Sequence, residues 1–379
     1  MTETRPTQNQ MPRPDAPATQ TSPARAAIQK VAKGLWLIPL NLKQTGFSSF
    51  ISAWLFQGDK TFLIDTGPAA AIPQLTGALR ELGIKKLDAI LLTHIHLDHA
   101  GGAGELARHF PDAPMVCHES ARAHLASPDA LWEGSVSALG PIAQAYGPPT
   151  PVPEQRLISA QEFDEKGINV IPTPGHSPHH IAFLAEGCLF AGEAGGVFMD
   201  RGHAQWLRPA TPHRFFLETT FQSIETLKSV DHERLCYGHF GWTKNGARLL
   251  DQHKRQLLFW SDTIDEEMKS GEGDPEILES RCLKALLDGD PCLSAWGDLT
   301  PDIQKREAFF IKNSIRGFIG YHKRRKRNAR KNREEKTATQ KNQAPKTDAK
   351  KRADRANIKD MEAVLNKIAD RNPLKGDEL

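Results

Sequence analysis

Apolar positions fall in short runs from Leu35 onward, and the period of the runs changes along the chain. "LWLIPL" (35–40), "SSFISAWLFQ" (48–57) and "KTFLIDTG" (60–67) are rich in β-branched and aromatic residues and predict strands, with Gly58–Asp59 as a hairpin turn. "AAAIPQLTGALREL" predicts a helix that stops at Gly83. "LDAILLTH" (87–94) predicts a buried strand, followed by a helix over "GELARHF", a strand over "APMVCH" and a helix over "ESARAHLAS". Residues 127–155, with "GPPTPVP", read as an inserted loop of the kind that forms a lid or wall over a site. Strands return in "INVIPTPGHSPHH" (168–180), in "IAFLAEGCLFAGE" (181–193, two strands about Glu186–Gly187) and in "RLCYGHFG" (234–241). After Trp242 the period becomes helical, with Leu249, Leu250, Leu257, Leu258 and Trp260 on one segment and further helices expected over 275–288 and 302–320.

Composition adds a division. Hydrophobic residues make up 39% of 379, low for a chain folded throughout, so residues 1–33, polar and rich in Pro, Thr and Gln, are expected to be disordered. Residues 321–379 hold 19 Lys/Arg against 9 Asp/Glu, a charge of +10, while the preceding chain carries −7. The four expected parts are therefore a disordered stretch (1–33), a catalytic body (34–242), a helical region (243–320) and a basic, mostly disordered tail (321–379). Within the tail, Ile358, Met361, Leu365 and Ile368 recur at helical spacing and mark a short amphipathic helix. Five cysteines, an odd count without a CxxC pair, argue against a disulfide framework and for a reducing compartment. Neither a signal peptide nor a run of about 18 apolar residues is visible, so a cytoplasmic location without membrane contact is expected.

The chemistry is concentrated in "LLTHIHLDHAGG" (91–102), where His94, His96, Asp98 and His99 occupy six positions at the end of an apolar run. Residues two apart on a strand point the same way, which places His94 and His96 toward one cation, while Asp98 and His99 can face a second beyond the turn. Imidazole and carboxylate are the ligands of zinc, and imidazole also suits iron. Three later strand ends add His176 in "TPGHSPHH", Glu193 in "FAGEA" and His239 in "YGHFG". Strand ends are where α/β sheets build their sites.

With these motifs in order, residues 34–242 resemble the metallo-β-lactamase superfamily, and "HLDHAGG" with "TPGHSPHH" looks most like its glyoxalase II-like branch. The resemblance implies an α/β fold, a four-layer αββα sandwich here followed by a helical extension, with a dinuclear metal centre at one edge. It implies that His94, His96 and His176 hold one metal and Asp98, His99 and His239 the other. Glu193 stands where the family usually has a bridging Asp, and Asp65 in "LIDTG" matches a turn whose acid orients a ligand histidine. The implied cofactor is two Zn2+, with iron or manganese as alternatives. The implied reaction is hydrolysis of an ester-type carbonyl in a small-molecule substrate, such as a thioester or lactone. The metals lower the pKa of a shared water toward ~7, and Asp98 passes a proton to the leaving group. His180 either donates to substrate or supports its loop.

Two other readings use the same residues. A mononuclear-iron persulfide dioxygenase shares much of the signature, and oxygen uptake separates it from a hydrolase. A nucleic-acid-associated protein or nuclease would use "HKRRKRNARKNR" against phosphates, although no interleaved aromatics offer base stacking. Lys254 and Arg255 sit where glutathione-binding relatives place basic residues, but a solvated helix face explains them equally. Neither the oligomeric state nor the substrate follows from these patterns.

Overall fold

The computed structural model describes residues 27–200, 205–270 and 274–343. Among them, one sheet runs in chain order through β1 (Gln29–Ala32), β2 (Leu35–Leu40), β3 (Ile51–Gln57), β4 (Thr61–Ile64), β5 (Ala89–Leu91), β6 (Met115–Cys117) and β7 (Leu157–Ser159). Its first four strands pair antiparallel, and β4 to β7 pair parallel. The remaining strands are β8 (Ile168–Pro172), β9 (Ile181–Ala185), β10 (Cys188–Gly192), β11 (Val197–Asp200), β12 (Gln205–Arg208), β13 (Arg234–Tyr237) and β14 (Trp242–Thr243). A second sheet has the order β14-β13-β10-β9-β8, and β11 with β12 forms a separate ribbon.

The alternation of side chains explains why both sheets read as continuous apolar runs. Leu35 and Leu37 of β2, Trp54 and Phe56 of β3, and Phe62 and Ile64 of β4 meet Phe183, Phe190 and Cys236 in a core between the sheets. The intervening Ile38, Leu40, Ala53, Leu55 and Leu63 point the other way, into helices α1 (Ile72–Glu81), α2 (Leu97–Ala100) and α3 (Ala103–His109). On the far side Ala182, Leu189, Leu235 and Tyr237 pack beneath helices of the second half of the chain. A strand buried on both faces has no polar alternation to show. The result is the expected four-layer sandwich.

Helix α1 behaves as its sequence dictates: Ile72, Leu75, Ala78 and Leu79 recur at helical spacing and are buried, Pro73 sits in the first turn, and Gly83 follows with φ of 74°. The segment over 127–155 differs from the loop expected of it. It holds two helices, α5 (Asp129–Leu139) and α6 (Pro141–Tyr146), preceded by α4 (Arg122–Ala126). Helix α5 has no buried residue, so its pattern lacks the apolar stripe from which a helix is recognised.

The second half carries α7 (Leu217–Ser229), α8 (Gly246–Lys269), α9 (Pro275–Gly289) and α10 (Pro301–Gln343). Leu249, Leu250, Leu257 and Trp260 of α8 are buried, whereas Leu258 is exposed. The five cysteines are buried and unpaired.

Two expected disordered stretches also differ. Gln29–Ala32 is a strand, because its backbone pairs with the edge of β2; residues 1–26 lie outside the described residues. The chain divides after Tyr321 into two compact units, Met1–Tyr321 and His322–Leu379. In the second unit the helix predicted to end at 320 continues to Gln343, with residues 325–336 exposed. Once a helix is nucleated, Lys and Arg propagate it well, and the pairs Arg330–Glu334 (3.0 Å) and Lys331–Glu335 (3.8 Å) sit at i,i+4. The amphipathic segment from Ile358 to Ile368 lies outside the described residues. No helix among the described residues is long and apolar enough to cross a membrane.

Candidate metal centre

The site forms where β4, β5, β8, β10 and β13 end, and each end delivers a different group. Strand β5 stops at Leu91, three residues before His94, so the pleat does not align His94 with His96. The loop is held instead by Asp65, just past β4. Its Oδ1 accepts from the backbone N–H of Thr93 (2.8 Å), and its Oδ2 accepts from Thr93 Oγ1 (2.8 Å) and from His99 Nδ1 (2.8 Å). Asp65 adopts φ of 57°, a left-handed conformation that a non-glycine residue holds only when its surroundings over-determine it.

These bonds fix the histidine tautomers. The Thr93 hydroxyl donates to Asp65, so it accepts from His94 Nδ1 (3.0 Å). His176 Nδ1 donates to the Ala210 carbonyl (2.9 Å), and His239 Nδ1 donates to the Phe50 carbonyl (3.0 Å). In His94, His99, His176 and His239, therefore, Nδ1 holds the proton and Nε2 turns a lone pair inward. His96 faces the same point through its other nitrogen. Its Nδ1 lies 3.1 Å from His94 Nε2 and 2.8 Å from His176 Nε2.

Glu193 completes the convergence. Its Oε2 is 2.9 Å from His176 Nε2 and 3.4 Å from His94 Nε2, while its Oε1 is 3.4 Å from His239 Nε2. Asp98 Oδ2 stands 3.9 Å from His99 Nε2 and 3.7 Å from His239 Nε2. Two groups result, His94–His96–His176–Glu193 and Asp98–His99–His239, each with its ligand atoms within 4.8 Å of one another. All seven residues singled out in the sequence thus come together.

The donor set fits cations. Lone pairs from five imidazoles and oxygens from two carboxylates converge, and His99 Nε2 is fully buried without a hydrogen-bond partner among the described residues. A convergence of acceptors that lacks donors is what a divalent metal satisfies. For His94 and His96 the electrostatics agree. Burial holds His94 and His96 well below the ordinary imidazole range, in the neutral form that ligates metal. Burial opposes charge on His99 too, yet Asp98 and Asp65 outweigh it and push this imidazole well above its usual value. Burial would raise Glu193, but His176 and His239 keep its carboxyl well below the usual range.

His180 and His179 have roles the sequence does not separate. His180 is fully buried; its Nδ1 bonds Thr173 Oγ1 (2.8 Å), and its Nε2 accepts from the backbone N–H of Glu193 (3.2 Å). Both nitrogens are committed, which leaves the supporting role and none for substrate. His179, passed over in the sequence, lines the cavity above the site, and burial with the charge of His176 lowers its pKa to about 4. Two glycines let the ring crowd together: a Cβ on Gly192 (φ 51°) would stand 2.6 Å from His180 Nε2, and one on Gly238 2.5 Å from His99 Cε1.

The cavity has a volume of about 390 Å³. Its floor includes His96, Asp98, His176 and Glu193. One wall is the face of α5 that carries Leu131, Ser135 and Ala138, and the other combines Arg208 and Ala210 with Phe310 and Asn313 of α10. None of the α5 or α10 residues stood out in the sequence, because no ligand-type side chain marks them. Lys254 is paired with Glu225 (2.7 Å) on the surface of α8 and is absent from the cavity lining.

Comparison with known proteins places this geometry. Over 236 residues, 60% of this chain and 85% of the other, the sequence is 27% identical to the metallo-beta-lactamase fold-containing protein ST1585 of Sulfurisphaera tokodaii. It is 28% identical over 200 residues to a hydroxyacylglutathione hydrolase of Xanthomonas campestris, a match spanning 52% of this chain and 64% of that enzyme. The solved structure of ST1585 superposes with a TM-score of 0.56 at 22% identity, covering 75% of this chain and 98% of the other. The metallo-beta-lactamase family protein TTHA1429 of Thermus thermophilus gives 0.55 at 21%, covering 78% and 95%. The family model of the metallo-beta-lactamase superfamily matches residues 48–239, half of the chain, and the protein belongs to that superfamily.

Proposed function

We propose that the protein is a zinc-dependent hydrolase that uses two metal ions to cleave an ester-type carbonyl, a thioester or lactone in a small molecule. The observation that carries this reading is Glu193: its Oε2 lies 2.9 Å from His176, 3.4 Å from His94 and 3.5 Å from His99, and its Oε1 lies 3.4 Å from His239, so a single side chain reaches both ligand groups. Its backbone N–H is held by His180 at 3.2 Å. The likeness to a hydroxyacylglutathione hydrolase supports a thioester among the candidate substrates.

When bound, the ions supply Lewis acidity and a water acidic enough to ionise near neutrality. The protein's own residues do the rest. His94, His96 and His176 with Glu193 would hold one ion, and Asp98, His99 and His239 the other. Asp65 locks the loop and the His99 tautomer, and β10 with β13 fixes the far side of the ring. Asp98 and Glu193 both belong to the ligand groups and line the cavity, and Asp98 stands farther from its imidazoles, at 3.7 and 3.9 Å against 2.9 Å for Glu193, which places it to take a proton from the nucleophile and release it to the leaving group.

Metal quantification on purified protein, followed by assay against thioesters, lactones and phosphodiesters with oxygen uptake recorded in parallel, tests this reading. Two zinc equivalents with hydrolysis of a thioester or lactone are expected. One iron with oxygen consumption would establish the dioxygenase chemistry instead.

A further inference from the structure

The charges behind the cavity do not balance. Arg208 and Arg306 are both buried, and they share one carboxylate. Glu307, fully buried, accepts from Arg208 Nε at 2.6 Å through Oε2 and from Arg306 Nε at 2.9 Å through Oε1. The cluster therefore carries a net positive charge away from bulk water, a costly arrangement unless something else answers it. Arg306 is caged by the rings of Phe50 (4.6 Å) and Phe240 (5.0 Å), and its Nη2 is buried without a partner among the described residues. The Tyr146 hydroxyl, also buried and without a partner among them, lies in the electrostatic field of Asp98, Glu193, Arg208 and Arg306.

Of these groups, Arg208 reaches the cavity. Its guanidinium lies over the Phe310 ring (5.0 Å), its Nε is bound to Glu307, and its Nη1 donates to the Pro209 carbonyl at 3.3 Å. Its Nη2 has no partner among the described residues. The carboxylates that line the cavity are Asp98 and Glu193, and both belong to the ligand groups. Once they are committed to cations, no acid in the lining remains to answer Arg208. The other lining is apolar or neutral, with Leu97, Leu131 and Phe310 prominent. An apolar cavity with one guanidinium whose only counter-charge among the described residues, Glu307, is shared with a second arginine is built for a molecule that has an apolar body and an anionic end.

We propose that the cavity selects substrates bearing a carboxylate, and that Arg208 is the residue that selects them. This names the substrate class of the hydrolase proposed above and rests on that reading for the reaction, though not for the binding. Arg208 holds the anionic end, with Arg306 behind it keeping Glu307 from neutralising both guanidinium groups.

Calorimetric titration of the metal-loaded protein with 4-phenylbutyrate and with its neutral amide tests the proposal. The carboxylate should bind at least tenfold more tightly than the amide to wild type. That advantage should vanish in Arg208→Gln and survive in part in Arg208→Lys, with metal content unchanged in all three. Equal binding of acid and amide to wild type would overturn the proposal. So would an undiminished advantage in Arg208→Gln, because the carboxylate would then sit on the ions. If removal of Arg208 prevents folding, Asn313→Asp adds a negative charge to the cavity wall without touching the buried cluster, and it should cut the advantage severalfold; no change would count against the proposal. A carboxylate preference without hydrolysis of any ester would sink the reaction and leave the selectivity, and hydrolysis without the preference would do the reverse.

Discussion

The floor of the cavity and its α5 wall are built on opposite principles. Four of the seven ligands are braced by a second bond. Asp65 holds His99, Thr93 holds His94, and main-chain carbonyls hold His176 and His239. These braces come from residues one or two positions beyond strand ends, so the floor is anchored to the buried sheets of the sandwich. Helix α5 buries none of its residues and ends at Gly140, with φ of 54°. Chemistry that needs fixed distances sits on the sheet ends, and contact with substrate is left to a helix that rests on the core through partly buried side chains such as Trp132 and Val136. In such a division, substitutions on the floor should change metal content and rate together, and substitutions on the wall should change substrate affinity alone.

The largest effect tests the floor. His96→Ala removes the one ligand that approaches two other imidazole nitrogens, at 3.1 and 2.8 Å. Hydrolysis should fall to background, with a loss of bound metal measured by atomic emission, while circular dichroism stays that of the folded protein. Metal retained at two equivalents with turnover intact would remove His96 from the ligand set.

The contrast between floor and wall also explains what could be read in the sequence. His94, His96, Asp98 and His99 were legible because ligand-type residues cluster at the end of an apolar run, and Glu193 and His239 because each follows a strand. The buried strands were legible for the same reason, although their ends were read two or three residues long: β5 stops at Leu91 and not at His94. Helix α5 was illegible, since a helix exposed to a cavity lacks the stripe that periodicity detects, and α6, which buries Ile142, Ala143 and Tyr146, is too short at six residues to show a period. Arg208 was illegible as well, because its meaning depends on Glu307 and Arg306, about a hundred positions away. His179 and His180 are neighbours in sequence, and only the turn after Pro174 decides which ring faces the cavity.

The next effect concerns how the floor is supported from below. His253 of α8 is buried against the turn that follows Glu193: a Cβ on Gly196 would stand 2.8 Å from its ring. Burial lowers its pKa to about 4, against 6.5 for an ordinary imidazole. The unfolded chain thus binds a proton below pH 6.5 that the folded protein refuses until about pH 4. Stability is full above 6.5 and declines as the pH falls through that window, by about 3 kcal/mol for this group. Urea titrations at pH 7 and pH 4 should show a smaller loss for His253→Gln than for wild type, and identical losses would contradict the assignment.

A gentler perturbation of the floor is Asp65→Asn. The amide keeps the size of the side chain but cannot accept from both Thr93 and His99 with a full negative charge. Outer partners of this type are worth ~10–100-fold in metal affinity. Competition with a chelator should show a weakening of that order, concentrated in the Asp98–His99–His239 group. Equal weakening of both ions would mean that the Thr93 bonds, which steady His94, matter as much as the bond to His99.

The smallest effect tests the wall, and it is informative because it should be confined. Leu131 lines the cavity from α5 and is half-buried against the core, so Leu131→Ala should lower folding stability by only about 1 kcal/mol. Loss of apolar contact with the body of a substrate raises KM, by ~10-fold if the side chain is covered when substrate binds. Metal content and kcat should stay where they are, because no bond joins α5 to the braced ligands among the described residues. A fall in kcat with KM unchanged would show that the wall positions the reacting carbonyl as well as holding the molecule that carries it. The separation between a rigid floor and a replaceable wall would then have to give way to a site in which α5 takes part in the chemistry.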